Sequence, residues 1–403
     1  MYSVSDFSIG HRGAAMQFPE HTLESYSAAS IQGAGIVECD VTFTKDRELV
    51  CRHSQCDLHT TTNVVTIPEM NAKCSTPWVL GVAPNCCASD FTLAEIKTLC
   101  AKMDSTGGTS ALTAEAYAFG GTAGWRTDLY QYACAEVPTH KESIASIGGN
   151  GGYFTPELKT PSVEMPYEGD YSQEDFAQQM INDYIDAGVA PAKVWPQSFL
   201  PADVFYWIEN TDYGAQAVAL DNNYEATEAQ IDIFLDLLVA NNVKIVAPPM
   251  QRLVEPAPES AHLMQPSYYA NAAKERGLSI ITWTLERAGP GLAGWYYSTT
   301  ENAGLDLNEG DRYNLLYVLA MEVEISGIFS DWPATVTFFA NCMELGFRSA
   351  TVSEIKSDPD ETPLPEETQA PGDEEGDGAF DEKVGFVHFV LLAVTSLVHL
   401  LFM

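Results

Sequence analysis

The chain has 403 residues, 46% of them hydrophobic, with 20 basic against 56 acidic side chains and a formal net charge of -36. Its length and apolar content support a large core, and α/β barrels commonly occupy about 250 residues as one domain. The charge excludes sequence-independent nucleic-acid binding, which depends on Lys and Arg neutralising phosphates. A site for a small anion would need positive charge concentrated locally.

In chain order, Ser8-Ile9-Gly10 reads as a short strand running into His11-Arg12-Gly13. Thr22 to Gln32 reads as a helix, with Leu23, Tyr26 and Ile31 among its apolar positions and Gly33 near its end. Gly35 to Thr44 is a second strand carrying Glu38-Cys39-Asp40, Lys45-Asp46-Arg47 a turn, and Glu48 to Arg52 a third strand with His53 at its end. Phe91 to Met103 has helical spacing, capped by Asp90 or Thr92. Ser105 to Gly152 is rich in glycine and has no clear period.

Tyr153-Phe154 then runs as a strand into Glu157-Leu158-Lys159, and Glu174 to Ala187 is an amphipathic helix ending at Gly188. Val194 to Phe199, Ala217 to Asp221, Val243 to Ala247, Ser279 to Thr284 and Gly327 to Ser330 are further strands. Helices that include Glu228 to Asn241 and Ser267 to Gly277 separate most of them. This alternation predicts an α/β chain, a (β/α)8 TIM barrel over residues 1–350 with a Cys-rich insertion at about 63–152. An open doubly wound sheet competes, but no Walker-type Gly-Lys-Ser/Thr occurs.

The nine cysteines concentrate between Cys39 and Cys134, with Cys342 alone near the end of the domain. Cross-links there would hold an irregular segment in shape, which places the chain in an oxidising compartment; buried thiols in a cytosolic enzyme are the duller reading. No Asn-x-Ser/Thr acceptor occurs. The N-terminus shows neither a basic nor an apolar signal region, so secretion would require a natural N-terminus longer than this one. Residues 351–383 form a disordered acidic linker rich in Pro and Glu, and 384–403 an apolar tail. Small residues at Gly376-Asp377-Gly378-Ala379, a polar spacer and that tail match a glycosylphosphatidylinositol (GPI) anchor signal, with a tail-anchored helix as the alternative. Either associates the protein with a membrane, expected on the extracellular face of the cell.

Charged residues stand where apolar strands end. Side chains at i and i+2 share a strand face, so Glu38 and Asp40 emerge together while Cys39 turns into the apolar layer, and Glu157 with Lys159 repeats the device. A parallel strand is normally covered on both sides, which argues against a merely solvated acidic face. Three carboxylates suit one hard divalent cation, Mg2+ or Ca2+. His11 and His53 then fall to proton transfer, and Arg12 and Lys159 supply the local positive charge. The duller readings are an ion pair between Lys159 and Glu157, core packing for Trp283, and structural roles for His59, His140 and His262.

His11-Arg12-Gly13, Pro19-Glu20-His21-Thr22, Glu38-Cys39-Asp40-Val41, Thr44-Lys45-Asp46, Val50-Cys51-Arg52-His53 and Thr60-Thr61-Thr62 resemble, in order and spacing, the glycerophosphodiester phosphodiesterase family. Phe91 to Ile96, Pro156 to Lys159, Gln197-Ser198-Phe199, Ile281 to Thr284 and Ser330 to Pro333 resemble its later blocks. The resemblance implies a TIM barrel that hydrolyses glycerophosphodiesters to an alcohol and sn-glycerol 3-phosphate. Glu38, Asp40 and Glu157 would hold the cation, His11 and His53 act as acid and base in either order, and Arg12 and Lys159 bind phosphate oxygens. Trp283 lining the site comes from the resemblance alone. The nucleophile is either the substrate's own glycerol hydroxyl or water. The chain departs from the pattern at His21, where the family usually has Asn, and at Arg47, where it usually has Gly. A sphingomyelinase D-like phospholipase and a non-catalytic surface protein on a degenerate barrel are the rival readings; the intact blocks and the full set of catalytic positions favour the diesterase.

Overall fold

The structure, a computed structural model, describes residues 3–127, 129, 134–260, 262–287, 296 and 310–348. Its strands are β1 (Ser5–Gly10), β2 (Ala34–Phe43), β3 (Leu49–Cys51), β4 (Tyr153–Leu158), β5 (Gln197–Ser198), β6 (Val218–Leu220), β7 (Ile245–Ala247), β8 (Val254–Pro256), β9 (Met264–Pro266), β10 (Ser279–Leu285) and β11 (Gly327–Ser330). Eight of these run parallel in the order β1-β11-β10-β7-β6-β5-β4-β2, and pairing of β1 with β2 closes the ring. The expected α/β barrel is the fold. The acidic linker and apolar tail expected at 351–403 lie outside the described residues. Among the described residues, no helix is long and apolar enough to cross a membrane.

Strand alternation divides the apolar residues into two sets. Ile9, Ile36, Val218, Leu220, Ala247, Ile281 and Phe329 form one buried cluster, with Tyr153, Trp195, Ile245 and Trp283 against it. Val37, Cys39, Val41, Phe154, Leu158 and Ile280 belong to a larger cluster that includes helix residues such as Tyr26, Phe176, Met180 and Leu235. Neighbouring strand positions thus fall in different clusters, as expected when one face fills the barrel and the other meets its jacket. Capped helices build that jacket: Thr22, Ser172, Thr227 and Ser267 each accept a backbone N–H of the first turn.

The structure corrects several expectations. Glu48 to Arg52 shrinks to β3, which is no barrel strand: the Lys45-Asp46-Arg47 turn folds it back antiparallel on β2, with Val41, Thr42 and Phe43 opposite Cys51, Val50 and Leu49. Phe91 to Met103 is helical only at Leu93–Ile96, where Thr92 and Glu95 make a capping box. Beyond it, Asn63 Oδ1 accepts the Cys100 N–H at 2.8 Å and Ala101 bridges to Thr62 and Ala135, so cross-chain pairing overrides helical spacing. Ile31 is 86% exposed, because its helix needs only Tyr26 and Ala29 against the barrel. Val194 to Phe199 narrows to Gln197–Ser198.

Residues between Val50 and Val137 have their own apolar core, centred on Leu58, Val64, Phe91, Ile96 and Ala118. Disulfides Cys56–Cys87, Cys74–Cys86 and Cys100–Cys134 cross-link this region, while Cys39–Cys51 ties β2 to β3. Cys342 is free and exposed. Helix His140–Gly149 places Ile144 and Ile147 in the barrel's larger cluster. Four disulfides fit an extracellular protein.

Candidate active site

Functional groups stand two or four positions beyond residues that fill the barrel: His11 after Ile9, Glu38 and Asp40 after Ile36, Glu157 after Tyr153, Gln197 after Trp195, and Asp331 after Phe329. Register then aligns them, with Asp40 opposite Glu157 across β2 and β4 and Glu157 opposite Gln197 across β4 and β5. His53 arrives differently. The chain returns from β3, the Arg52 N–H donates to the Asp40 carbonyl at 2.8 Å, and His53 follows at the rim.

Oxygen atoms of Glu38, Asp40 and Glu157 all lie within 4.8 Å of one another, and the three side chains are buried. A shared Mg2+ or Ca2+ at ordinary metal–oxygen distances of about 2.0–2.6 Å would hold its ligands no more than about 4–5 Å apart, so the spacing suits one ion. The electrostatics suit it too. Burial, together with Asp40 and Glu157, raises Glu38 well above the usual carboxylate range; burial raises Glu157 to about 8 against the pull of Lys159. Burial also pushes Asp40 up, but Lys159, His21 and Arg12 outweigh it and hold Asp40 well below its ordinary value. Asp40 Oδ1 is buried without a hydrogen bond. Crowded acids with an unsatisfied oxygen are a donor set that a divalent cation relieves.

Basic groups border the trio. The Arg12 backbone N–H donates to Glu38 Oε2 at 3.0 Å, its Nη1 to Glu20 Oε1 at 3.0 Å, and its Nε lies 3.4 Å from Asp40 Oδ2. This needs a left-handed turn, with φ of 57° at Arg12 and 90° at Gly13, where a Cβ would come 2.6 Å from the Ser25 carbonyl carbon. Lys159 Nζ lies 2.5 Å from Glu157 Oε1 and 3.9 Å from Asp40 Oδ1, so the expected ion pair is present. Glu20 is ringed by guanidinium groups of Arg12, Arg287 and Arg126, whose charges outweigh burial and keep it ionised.

His11 Nδ1 is 2.5 Å from Asp331 Oδ1, leaving Nε2 facing Glu38 at 3.7 Å. Burial, then the Arg12 charge, lowers the ring's pKa to about 4 despite Asp331, so it is neutral at physiological pH. Asp331 itself is held at about 2: burial raises it, and Arg287 and His11 more than compensate. Burial with Arg12 and Lys159 also drives His53 well below its ordinary value. Both rings line one cavity of about 390 Å³, open mouth included, together with Arg12, Glu38, Glu157 and Lys159. Trp283, Phe199 and Tyr296 supply its apolar wall, and Trp283 Nε1 donates to the Ala247 carbonyl at 2.8 Å.

The sequence-selected residues therefore converge: His11, Arg12, Glu38, His53, Glu157, Lys159 and Trp283 line the cavity, and Asp40 completes the acidic trio. Sequence reasoning assigned no role to Asp331, Glu20, Gln197 or Arg287. Alternation from Phe329 and Trp195 points to the first and third; nothing local marks Arg287. His21 acts as a clamp, its Nε2 2.8 Å from Asp40 Oδ2 and its Nδ1 3.1 Å from the Tyr26 hydroxyl. Its φ of 54° is a conformation that Asn and His tolerate better than most residues. His140 pairs with Asp183 at 2.9 Å, and His262 stacks on Tyr317.

Barrel and site together define a phosphodiesterase-type architecture, with an acidic trio spaced closely enough for one cation, flanked by two imidazoles and cationic side chains. Residues 11–335 match the model of the glycerophosphoryl diester phosphodiesterase family, and the chain belongs to that family. It is 40% identical over 233 residues to a protein named "Extracellular protein" from Arthroderma benhamiae, covering 56% of this chain and 94% of that one. It is 23% identical over 345 residues to glycerophosphodiester phosphodiesterase GDPD6 of Arabidopsis thaliana, covering 82% and 84%. The crystal structure of a putative glycerophosphoryl diester phosphodiesterase from Silicibacter pomeroyi shares the fold at a TM-score of 0.54 and 17% identity, over 86% of this chain and 95% of that one.

Proposed function

We propose that this protein hydrolyses glycerophosphodiesters to an alcohol and sn-glycerol 3-phosphate, with one divalent cation held by Glu38, Asp40 and Glu157. The observation that carries the reading is the shared cavity, in which two imidazoles, two cationic side chains and the acidic trio meet. A bound Mg2+ or Ca2+ would act as a Lewis acid on a phosphoryl oxygen. Arg12 and Lys159 bind and orient the phosphate and stabilise the charge that grows on its oxygens. His11, held by Asp331 with Nε2 free to accept, takes the nucleophile's proton, the orientation logic of a carboxylate-supported base. His53 hydrogen-bonds to no described residue; an anionic phosphate beside it favours its protonated form, which donates to the departing alcohol. Trp283 and Phe199 shield the reacting group from water.

We further place the protein at the cell surface. Disulfide bonding supports this, as does the tail at 384–403, read as a GPI signal; release from intact cells by phosphatidylinositol-specific phospholipase C tests it. For the activity, glycerophosphocholine is incubated with Mg2+ or Ca2+ and after chelation. Glycerol 3-phosphate should form with a cation and stop without one. Absence of that product with either ion would overturn the reading, and ceramide phosphate from sphingomyelin would favour the sphingomyelinase D-like rival.

A further inference from the structure

The disulfide-linked insertion sends a charged side chain onto the rim of the barrel. Arg126 lies in the loop that Cys100–Cys134 closes, and its side chain is 2% exposed. Its Nε and Nη2 both donate to the Ala15 carbonyl, at 3.0 and 2.7 Å, and its Nη1 donates to the Asp104 carbonyl at 3.4 Å. The Thr127 N–H adds a bond to the Met16 carbonyl at 3.2 Å. Ala15 and Met16 come just after the turn that presents His11 and Arg12, and the Met16 N–H donates to the Asp331 carbonyl at 3.1 Å.

Beyond that carbonyl, Arg126 meets Glu20. Its Nη2 stands 3.9 Å from Glu20 Oε2, and Glu20 Oε1 in turn accepts from Arg12 Nη1 at 3.0 Å. Burial works against the Arg126 charge, and Glu20 is the foremost group sustaining it. A neutral donor would satisfy the Ala15 carbonyl without the cost of burying a guanidinium, so a mere tack between insertion and barrel does not account for the charge. Arg126 does not line the cavity, so it acts on a bound phosphate only through its neighbours. We infer that Arg126 is a positioning residue supplied by the insertion, holding Glu20 and the Ala15 carbonyl so that the Arg12 guanidinium meets the phosphate. This rests on the phosphodiesterase reading and adds a residue to it.

A double-mutant cycle on glycerophosphocholine turnover at saturating cation separates positioning from a structural tack. Arg126→Gln keeps a donor for the Ala15 carbonyl and removes the charge. Its kcat/KM should fall by about tenfold, chiefly through KM, with the protein still folded by circular dichroism. Arg126→Lys, which keeps the charge and loses the forked contact, should lose roughly two- to fivefold. In a Glu20→Gln background neither substitution should lower kcat/KM further, because the link to Arg12 is already cut. Where Glu20→Gln turns over too slowly, the affinity for glycerol 3-phosphate, measured by calorimetry, completes the same cycle. Losses that multiply in that background, or a folded Arg126→Gln protein with parental kcat/KM, overturn the inference and leave the phosphodiesterase reading in place. Should Arg126→Gln fail to fold, the Lys variant decides by the same criterion. An inactive parent protein overturns both.

Discussion

The barrel rim and the disulfide-linked insertion are held together in different ways. At the rim, eight strands fix the position of each functional group through alternation and register, and charges are buried only because they are paired: Arg12 with Glu20, His21 with Asp40, His11 with Asp331. The insertion has a small core and little regular structure, with helices as short as Leu58–Thr61 and Leu93–Ile96, and three disulfides cross-link it. Continuous sheet can dictate geometry to a fraction of an ångström; a small irregular segment needs covalent ties to exist at all. His53 sits where these two regimes meet.

The rim and the insertion should differ most sharply at the two histidines proposed for proton transfer. His11→Ala and His53→Ala should each lower kcat by about 10²- to 10⁴-fold, with the fold intact by circular dichroism. Glu38→Gln should abolish cation-dependent turnover, read as lost stimulation in a Mg2+ or Ca2+ titration. Near-native rates in either histidine variant would remove the acid–base assignment.

The next effect tests whether the insertion matters to the site. Cys56–Cys87 and Cys100–Cys134 span 31 and 34 residues, and each is worth about 3–4 kcal/mol in the chain-entropy account. Mild reduction should expose residues between 63 and 137 to proteolysis well before the barrel. Activity should fall at least tenfold, because Cys56 follows His53 by three positions. Simultaneous cleavage of barrel and insertion, or full activity after reduction, would show that the two regions are not separable as argued.

Each region also buries a carboxyl with a raised pKa. Burial lifts Asp57 to about 7 against Arg52, and burial lifts Glu286 to about 7 against its bonds to Ser330 and Thr335. The folded values exceed the unfolded ones of 3.8 and 4.5, so the folded state binds extra protons between about pH 4 and pH 7. Stability from these groups is therefore full below about pH 4 and lost as pH rises through 7, by at most about 3–4 kcal/mol each. Urea unfolding at saturating cation, across pH 4 to 8, should show this decline. Asp57→Asn and Glu286→Gln should each shallow it, and an unchanged slope in both would remove the two carboxyls as its source.

How much was legible follows from the same division. Barrel strands announced themselves through apolar runs, and the polar residue ending each run fell where an i, i+2 rule places it. That is why the acidic trio and His11 could be read from spacing. His53 was readable as a strand end although its strand belongs to a hairpin, since a short apolar run looks the same in either setting. Arg287 and the Asp331–His11 pair were not legible, because they join residues 44 and 320 positions apart through tertiary packing. In the insertion, helical spacing at Phe91 to Met103 was overridden by pairing with Asn63 and Ala135 and by the Cys100–Cys134 bond.

The smallest effect separates an apolar residue that belongs to the core from one that only looks so. Tyr26 and Ile31 occupy one helix and read alike in sequence, yet Tyr26 is fully buried, and its hydroxyl meets the His21 ring that clamps Asp40. Ile31 stands in solvent at 86% exposure. Tyr26→Phe keeps the packed ring and removes one hydrogen bond, so it should cost about 1 kcal/mol in urea unfolding, with a measurable rise in the cation concentration needed for half-maximal activity. Ile31→Ser should change stability by less than about 0.5 kcal/mol and leave the cation titration unmoved. Equal effects of the two substitutions would mean that burial on this helix does not reach the site.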